Sequence, residues 1–236
     1  MATAAEIEAK VSDYLEGDYE VQETDTIPSV ENVTFGKAAK RLKICVLYID
    51  LRNSTDLLLV HQKKTAGKIH KGFLHAAASV VNNNDGYIRG FKGDSLMALW
   101  PSGYKNQITT CVRSAMQIKW LLDVKLSKHF EAYQKIDFGI GVDWGEVYVM
   151  RAGIPRDANN NDLIFMGECI NYAVGIGEQA KGPYHVEISP STHGNLLDEL
   201  VQGTSEGQQV QIWKDGKIQW KGAERPTKIT TWHCPF

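Results

Sequence analysis

Residues 43–57 set the terms for the rest of the chain. Residues 44–49 form an almost unbroken apolar run of β-branched and aromatic side chains, which fits a strand buried on both faces. The run ends on an acid, Asp50, and Ser54 and Thr55 then stand where they can cap a helix continuing through 57–60. A carboxylate at a strand end, beside the free N–H groups of a helix start, suits a hard cation and a phosphate side by side. An acid that merely opens a turn fits the same residues. A second acid has to decide between the two readings.

Asp94 is the candidate. Tyr87-Ile-Arg-Gly-Phe91 and Leu96-Met-Ala-Leu-Trp100 are two β-rich runs joined by Lys92-Gly93-Asp94-Ser95, a hairpin signature. A strand ending on Asp50 and a hairpin tip carrying Asp94 can bring two carboxylates together, a pair that suits two magnesium ions. Plain turn chemistry fits the Gly-Asp pair as well.

Composition narrows the partners. With 236 residues, 43% of them hydrophobic, the chain can bury a sizeable core. Its 26 basic and 28 acidic residues are interspersed, which leaves no electrostatic footprint for DNA or RNA. No apolar run approaches the length of a membrane span, and the N-terminus has no signal core, so a soluble, unexported protein is expected. Cys45, Cys111, Cys169 and Cys234 are far apart without paired spacing, which argues against disulfides and zinc and fits a reducing cytoplasm. The seven histidines are scattered without ligand spacing.

Along the chain, residues 1–42 read as an N-terminal extension: Ile7, Val11 and Leu15 at helical spacing, an acidic Thr-rich stretch, then a basic helical segment. It either packs on the domain or serves dimerisation or control. The domain proper spans 43–236. Within it, helices are expected over 57–81, with Leu58, Ala66, Ile69, Phe73, Ala77 and Val80 inward, and over 108–130. Residues 137–150 read as two strands turned at 143–145, and 210–221 as a hairpin around Asp215-Gly216. In the helix after Gly167, Asn171 interrupts a face made by Ile170, Ala173 and Val174, and such an Asn needs a backbone or ligand partner. Strands alternating with helices, plus several hairpins, indicate an α/β sandwich rather than a doubly wound parallel sheet.

Four blocks in this order resemble the class III nucleotide cyclases: Leu47-Tyr48-Ile49-Asp50-Leu51 with Ser54-Thr55, Gly93-Asp94-Ser95-Leu96-Met97-Ala98, Gly139-Ile140-Gly141-Val142 with Gly145-Glu146-Val147, and Gly167-Glu168-Cys169-Ile170-Asn171-Tyr172-Ala173. Lys221-Gly222-Ala223-Glu224-Arg225-Pro226 is similar to the family's closing segment. The resemblance implies an α+β, ferredoxin-like catalytic domain that pairs head to tail as a homodimer and builds composite active sites across the interface. Asp50 and Asp94, with the Leu51 carbonyl, would hold two Mg2+ or Mn2+ ions per site. The helix start at Asn53, Ser54 and Thr55 would cradle the triphosphate. The other protomer would supply Asn171 to the ribose and Asp162 to the base. The reaction implied is in-line attack of the 3′-hydroxyl on the α-phosphorus, giving a 3′,5′-cyclic nucleotide and pyrophosphate.

The departures sharpen the substrate. Gly90 stands where adenylate cyclases carry a Lys that reads adenine, Gly175 stands where the family carries its transition-state Arg, and Asn53-Ser54 replaces a Gly-Phe pair. Arg151, Lys221 and Arg225 are candidates to replace the lost charge. Arg89-Gly90-Phe91 is similar to the basic-Gly-aromatic pattern of the pyrimidine cyclases of bacterial antiphage (Pycsar) systems, which places Arg89 and Phe91 at the base. That likeness implies UTP, with CTP next, and a cyclic product (cUMP or cCMP) read by a separate effector protein in antiviral defence. An exposed strand Arg is the bland alternative for Arg89. Cytidylate or adenylate cyclisation, and a degenerate module that binds nucleotide or dimerises without chemistry, are the competing functions.

Overall fold

The computed structural model describes residues 2–155 and 157–236. In chain order it contains α1 (Ala4–Leu15), β1 (Glu20–Glu23), β2 (Ala38–Leu51), α2 (Ser54–Val60), α3 (Lys63–Asn83), β3 (Tyr87–Lys92), β4 (Ser95–Pro101), α4 (Lys105–Trp120) and α5 (Ser127–Glu131). There follow β5 (Phe138–Gly153), β6 (Asn161–Met166), α6 (Glu168–Gly177), β7 (Val186–Ile188), α7 (Pro190–Gly194), β8 (Gln202–Ser205), β9 (Gln208–Gln211), β10 (Lys214–Trp220) and β11 (Ala223–Thr230).

The apolar run is the middle of β2, a strand that starts at Ala38, ahead of the boundary expected between 42 and 43. A strand therefore replaces the basic helix read before residue 43. Its first residues are held on one side by β1, which runs parallel and meets Lys40 and Arg41 with Gln22 and Glu23. On the other side they pair with Val147, Tyr148 and Val149. The sheet order is β10-β11-β7-β5-β2-β4-β3, with β6 beside β5. Strands β2, β3, β4 and β5 with α3 and α4 form the β-α-β-β-α-β unit of a ferredoxin-like fold.

Side chains of β2 alternate between two layers. Cys45, Leu47, Ile49 and Leu51 pack with residues of α3 and α4, whereas Leu42, Ile44 and Val46 pack with Val147, Val149, Cys169 and Ala173 on the α6 side. Burial on both faces is why the run reads apolar at every position. Tyr48 and Asp50 share the parity that faces α6. That helix lies almost on the sheet backbone: a Cβ on Gly141 would sit 2.1 Å from the Ala173 carbonyl oxygen.

Four further elements differ from expectation. The turn expected at 143–145 is absent, and β5 continues through it because Asp143 is buried with hydroxyl partners from the α7 start: Ser189 at 2.5 Å and Thr192 at 3.4 Å. The helix expected over 57–81 breaks at His61 and Gln62, both extended, and Leu58 is exposed rather than inward. The helix expected over 108–130 ends at Trp120, followed by a π turn closed by Leu126 N–H donating to the Leu121 carbonyl at 2.8 Å. Asp215-Gly216 lies inside β10, and the hairpin of β10 and β11 turns at Lys221-Gly222, both left-handed.

Candidate active site

Strand pairing creates the first cluster. Asp50 lies opposite Ser95 in β4 and Gly139 in β5, and Asp94 directly precedes Ser95 on the β3–β4 turn. Two acids distant in sequence thus become neighbours on adjacent strands. Burial, then the negative charges of Asp94 and Glu178, push the Asp50 carboxyl up to about 6, while Arg52 and the Tyr48 hydroxyl favour its ionised form. Burial pushes Tyr48 up to about 12; the nearby Ser95 opposes the rise, and Asp50, Glu178 and Asp94 add to it. Neither Tyr48 nor Glu178 stood out in sequence. Tyr48 lies two residues from Asp50 on the same strand face, which was a usable signal. Glu178 carried none, since only the docking of α6 brings its C-terminal end to β2.

The turn after Asp50 is tied to both neighbours. The Arg52 N–H donates to the Asp137 carbonyl at 2.9 Å, and its guanidinium donates to the Glu178 carbonyl. Asn53 occupies the cap position of α2 in the left-handed region (φ 55°) without a side-chain cap, and Ser54 is the first helical residue. Ser54 and Thr55 therefore stand inside the helix rather than capping it. Among the described residues no three His, Cys, Asp or Glu side chains converge as a ready-made metal site. The donor set nevertheless fits a hard divalent cation. Two carboxylates whose mutual repulsion raises one of them would be relieved by a positive ion, to which the strand-end carbonyl of Leu51 could add an oxygen.

A second cluster joins β3 to β6. The pairing of β3 with β4 slips between Ile88 and Gly90, so Arg89 has no partner across the strand. Such a bulge re-aims a side chain, and the Arg89 guanidinium reaches Asp162, donates to the Leu163 carbonyl at 2.9 Å and lies over the Phe165 ring at 5.2 Å. Partial burial works to raise the Asp162 carboxyl, but Arg89 and the Leu163 N–H hold it below the ordinary range. Phe91, at the end of β3, is exposed.

Asn171 is also exposed: the buried face of α6 is Cys169, Ala173, Gly175, Ile176 and Gly177, so Asn171 flanks that face rather than interrupting it. One turn further on, a Cβ at Gly175 would lie 2.3 Å from the Trp220 ring. The indole fills the space beside the helix. Lys221 sits over that ring at 5.4 Å, and Tyr172 meets it edge-on at 5.6 Å. Arg151 is engaged elsewhere, donating to Asn161 Oδ1 at 3.0 Å and stacking on Phe35 at 4.4 Å, while Arg225 is exposed. No described hydrogen bond or ion pair within the chain links Asp50 or Asp94 to Arg89 or Asp162. No helix among the described residues is long and apolar enough to cross a membrane.

No family model matches the chain. It is 31% identical over 238 residues to the uridylate cyclase of Burkholderia cepacia, covering 98% of both chains. It is 29% identical over 214 residues to the uridylate cyclase of Xanthomonas perforans, covering 88% of this chain and 87% of that one. Among solved structures, the adenylyl cyclase CyaB of P. aeruginosa superposes with a TM-score of 0.65 at 21% identity, covering 81% of this chain and 93% of that one.

Proposed function

This chain belongs to the class III nucleotide cyclases, in the family of the uridylate cyclases, and on that premise we propose that its substrate is a pyrimidine nucleoside triphosphate, UTP before CTP. The observation that carries the substrate reading is the Arg89–Asp162 pair. It sets a guanidinium donor beside a carboxylate acceptor. Uracil presents a complementary edge, with N3–H to donate to Asp162 and a ring carbonyl to accept from Arg89. Cytosine can donate its amino group to the same carboxylate, so the family likeness, not Asp162, favours UTP.

Asp50 and Asp94, with the Leu51 carbonyl, would hold two Mg2+ or Mn2+ ions. When bound, such ions lower the pKa of the 3′-hydroxyl and neutralise charge on the pyrophosphate leaving group. Asn53, Ser54 and Thr55 direct backbone N–H groups at the triphosphate. Asn171, with the Arg89–Asp162 pair, comes from the second protomer of a head-to-tail homodimer, and its amide holds the ribose so that the 3′-oxygen faces the α-phosphorus in line. The P–O bond to pyrophosphate breaks as the ring closes, and cUMP is released. Trp220 occupies the space beside Gly175, so Lys221, held over that ring, and Arg225, which lines the same cleft as Trp220 and Tyr172, are the candidates to meet the developing phosphate charge. In this reading the cyclic nucleotide is a cytoplasmic second messenger of antiviral defence, sensed by a separate effector.

The test is mass spectrometry of the products formed from ATP, GTP, CTP and UTP supplied together with manganese. Cyclic UMP should dominate, with cyclic CMP second. Dominant cyclic AMP would overturn the base assignment, and nucleotide binding without any cyclic product would favour the degenerate module.

A further inference from the structure

Helix α1 is stabilised at its start by a reciprocal capping box between Thr3 and Glu6, yet none of its residues is buried. Ile7, Val11 and Leu15 form one stripe at intervals of four and are 56%, 49% and 80% exposed. A 12-residue helix is marginal in water, and most helical stability comes from packing an apolar face against something. Among the described residues this face has no partner. The polar side is acidic, with Glu6, Glu8 and Asp13 against Lys10.

A groove of the opposite character lies between α3 and the segment around α5. Its volume is about 490 Å³, with Ile69, Gly72, Ala76 and Ser79 along one wall and Leu126 and Phe130 on the other. Small residues three and four positions apart let another helix approach closely. The rim is basic. Helix α3 carries Lys63, Lys64, Lys68 and Lys71 and no acid, and none of these lysines is ion-paired among the described residues. An amphipathic helix laying its apolar face into such a groove is a recurrent recognition mode.

The helix cannot fill the groove of its own chain. Its C-terminal end is pinned beside the start of β2, where Lys37 Nζ donates to the Glu16 carbonyl at 2.9 Å and pairs with Asp13 at 3.2 Å. The groove lies by the other end of β2. Gly72 faces Phe130, its neighbour Phe73 packs at a tilt on Phe138 with ring centroids 6.2 Å apart, and Phe138 pairs with Leu51. The 14 residues of β2 span about 43 Å at 3.3 Å each. The 12 residues of α1 span about 18 Å, so the helix would stop roughly 25 Å short even if aimed along the strand.

We propose that α1 docks into the α3–α5 groove of a second copy of this chain, with Ile7, Val11 and Leu15 inserted and Glu6 and Glu8 facing the α3 lysines. The groove is on the α3–α4 side of the sheet, whereas Asp50, Asn171 and the Arg89–Asp162 pair belong to the α6 side or its edge. This contact is therefore additional to a catalytic dimer. Two different surfaces meet in it, so it either closes into a ring or extends into a chain of subunits.

The test uses a fluorescein-labelled peptide of residues 2–17 titrated into the full-length Val11→Glu protein, whose own helix no longer competes. Saturable binding is expected. It should weaken at least tenfold when the receiving protein also carries Lys68→Glu with Lys71→Glu, when it carries Ser79→Trp, or when the peptide carries Val11→Glu. Wild-type protein should sediment as a larger species than Val11→Glu at equal concentration, with the difference shrinking in high salt. Circular dichroism and nucleotide turnover of the receiving variants, which keep the catalytic residues, control for folding. Absence of saturable binding, or binding unaffected by both groove variants, would overturn the assignment. So would binding seen only when the receiving protein has an intact α1, since that is helix–helix pairing without the groove.

Discussion

Asp50 and Asp94 became neighbours through a single register, Asp50 opposite Ser95, and everything proposed for the metals depends on that pairing. Asp50→Asn and Asp94→Asn should each lower turnover about a thousandfold, since metal-centred charge stabilisation is worth several kcal/mol at roughly 1.4 kcal/mol per tenfold. Thermal unfolding should change little. Near-normal activity of either variant in saturating manganese would refute the metal assignment. A pH readout goes with it. The Asp50 carboxyl lies at about 6 in the metal-free chain, and a bound proton competes with a cation, so manganese affinity should fall as pH drops through 6, about tenfold weaker at pH 5 than above pH 7. Affinity independent of pH over that range would remove Asp50 from the ligand set. Both acids were legible in sequence because strand ends and hairpin tips are local signals. Arg89 was legible only through the family likeness. Its link to Asp162 depends on a bulge that alternation in the strand does not announce, and Glu178 on a helix docking that no local pattern reveals.

At the level of elements, α6 and the β10–β11 hairpin fit each other through Gly175 and Trp220. Gly175→Arg would thrust a long side chain into the indole, and overpacking of this kind costs about 1–3 kcal/mol. The expected outcome is a lower unfolding midpoint in urea without a gain in turnover. Adding Trp220→Ala should recover the stability. A Gly175→Arg protein as stable as wild type would show that the indole swings aside and that the space is not closed. Two of the elements misread from sequence share one cause. Asp-Trp-Gly at 143–145 has turn chemistry, but hydroxyls of Ser189 and Thr192 satisfy the buried acid and keep β5 straight. The basic segment before residue 43 is drawn into the sheet by β1 and β5 on its two sides. Tertiary partners overrode local propensity in each case.

For the molecule as a whole, the composite-site reading makes a prediction that needs no knowledge of the base. In a twofold dimer each site takes Asp50 and Asp94 from one protomer and Asn171 from the other. Asp50→Asn and Asn171→Ala proteins should each be nearly inactive. Mixing them should restore part of the activity, because a heterodimer collects both lesions in one site and none in the other. Differently tagged chains and mass spectrometry establish that subunits exchange. Proven exchange without recovery would rule out the shared site. The alternation of strand and helix announced an α/β sandwich and the family likeness its ferredoxin-like core, whereas the reach of β2 toward Ala38 was not foreseeable, because its first residues are held by partners distant in sequence. That long central strand also has a bearing on biosynthesis. Its register places Asp50 beside Gly139 and Leu42 beside Val147, contacts separated by much of the chain, and such non-local closure is slow and comes late. A ribosome must release β5 before the strand that carries the first acid has both its neighbours, and α6 comes later still. Truncated or nascent chains that stop short of β5 and α6 therefore lack the enclosure around Asp50.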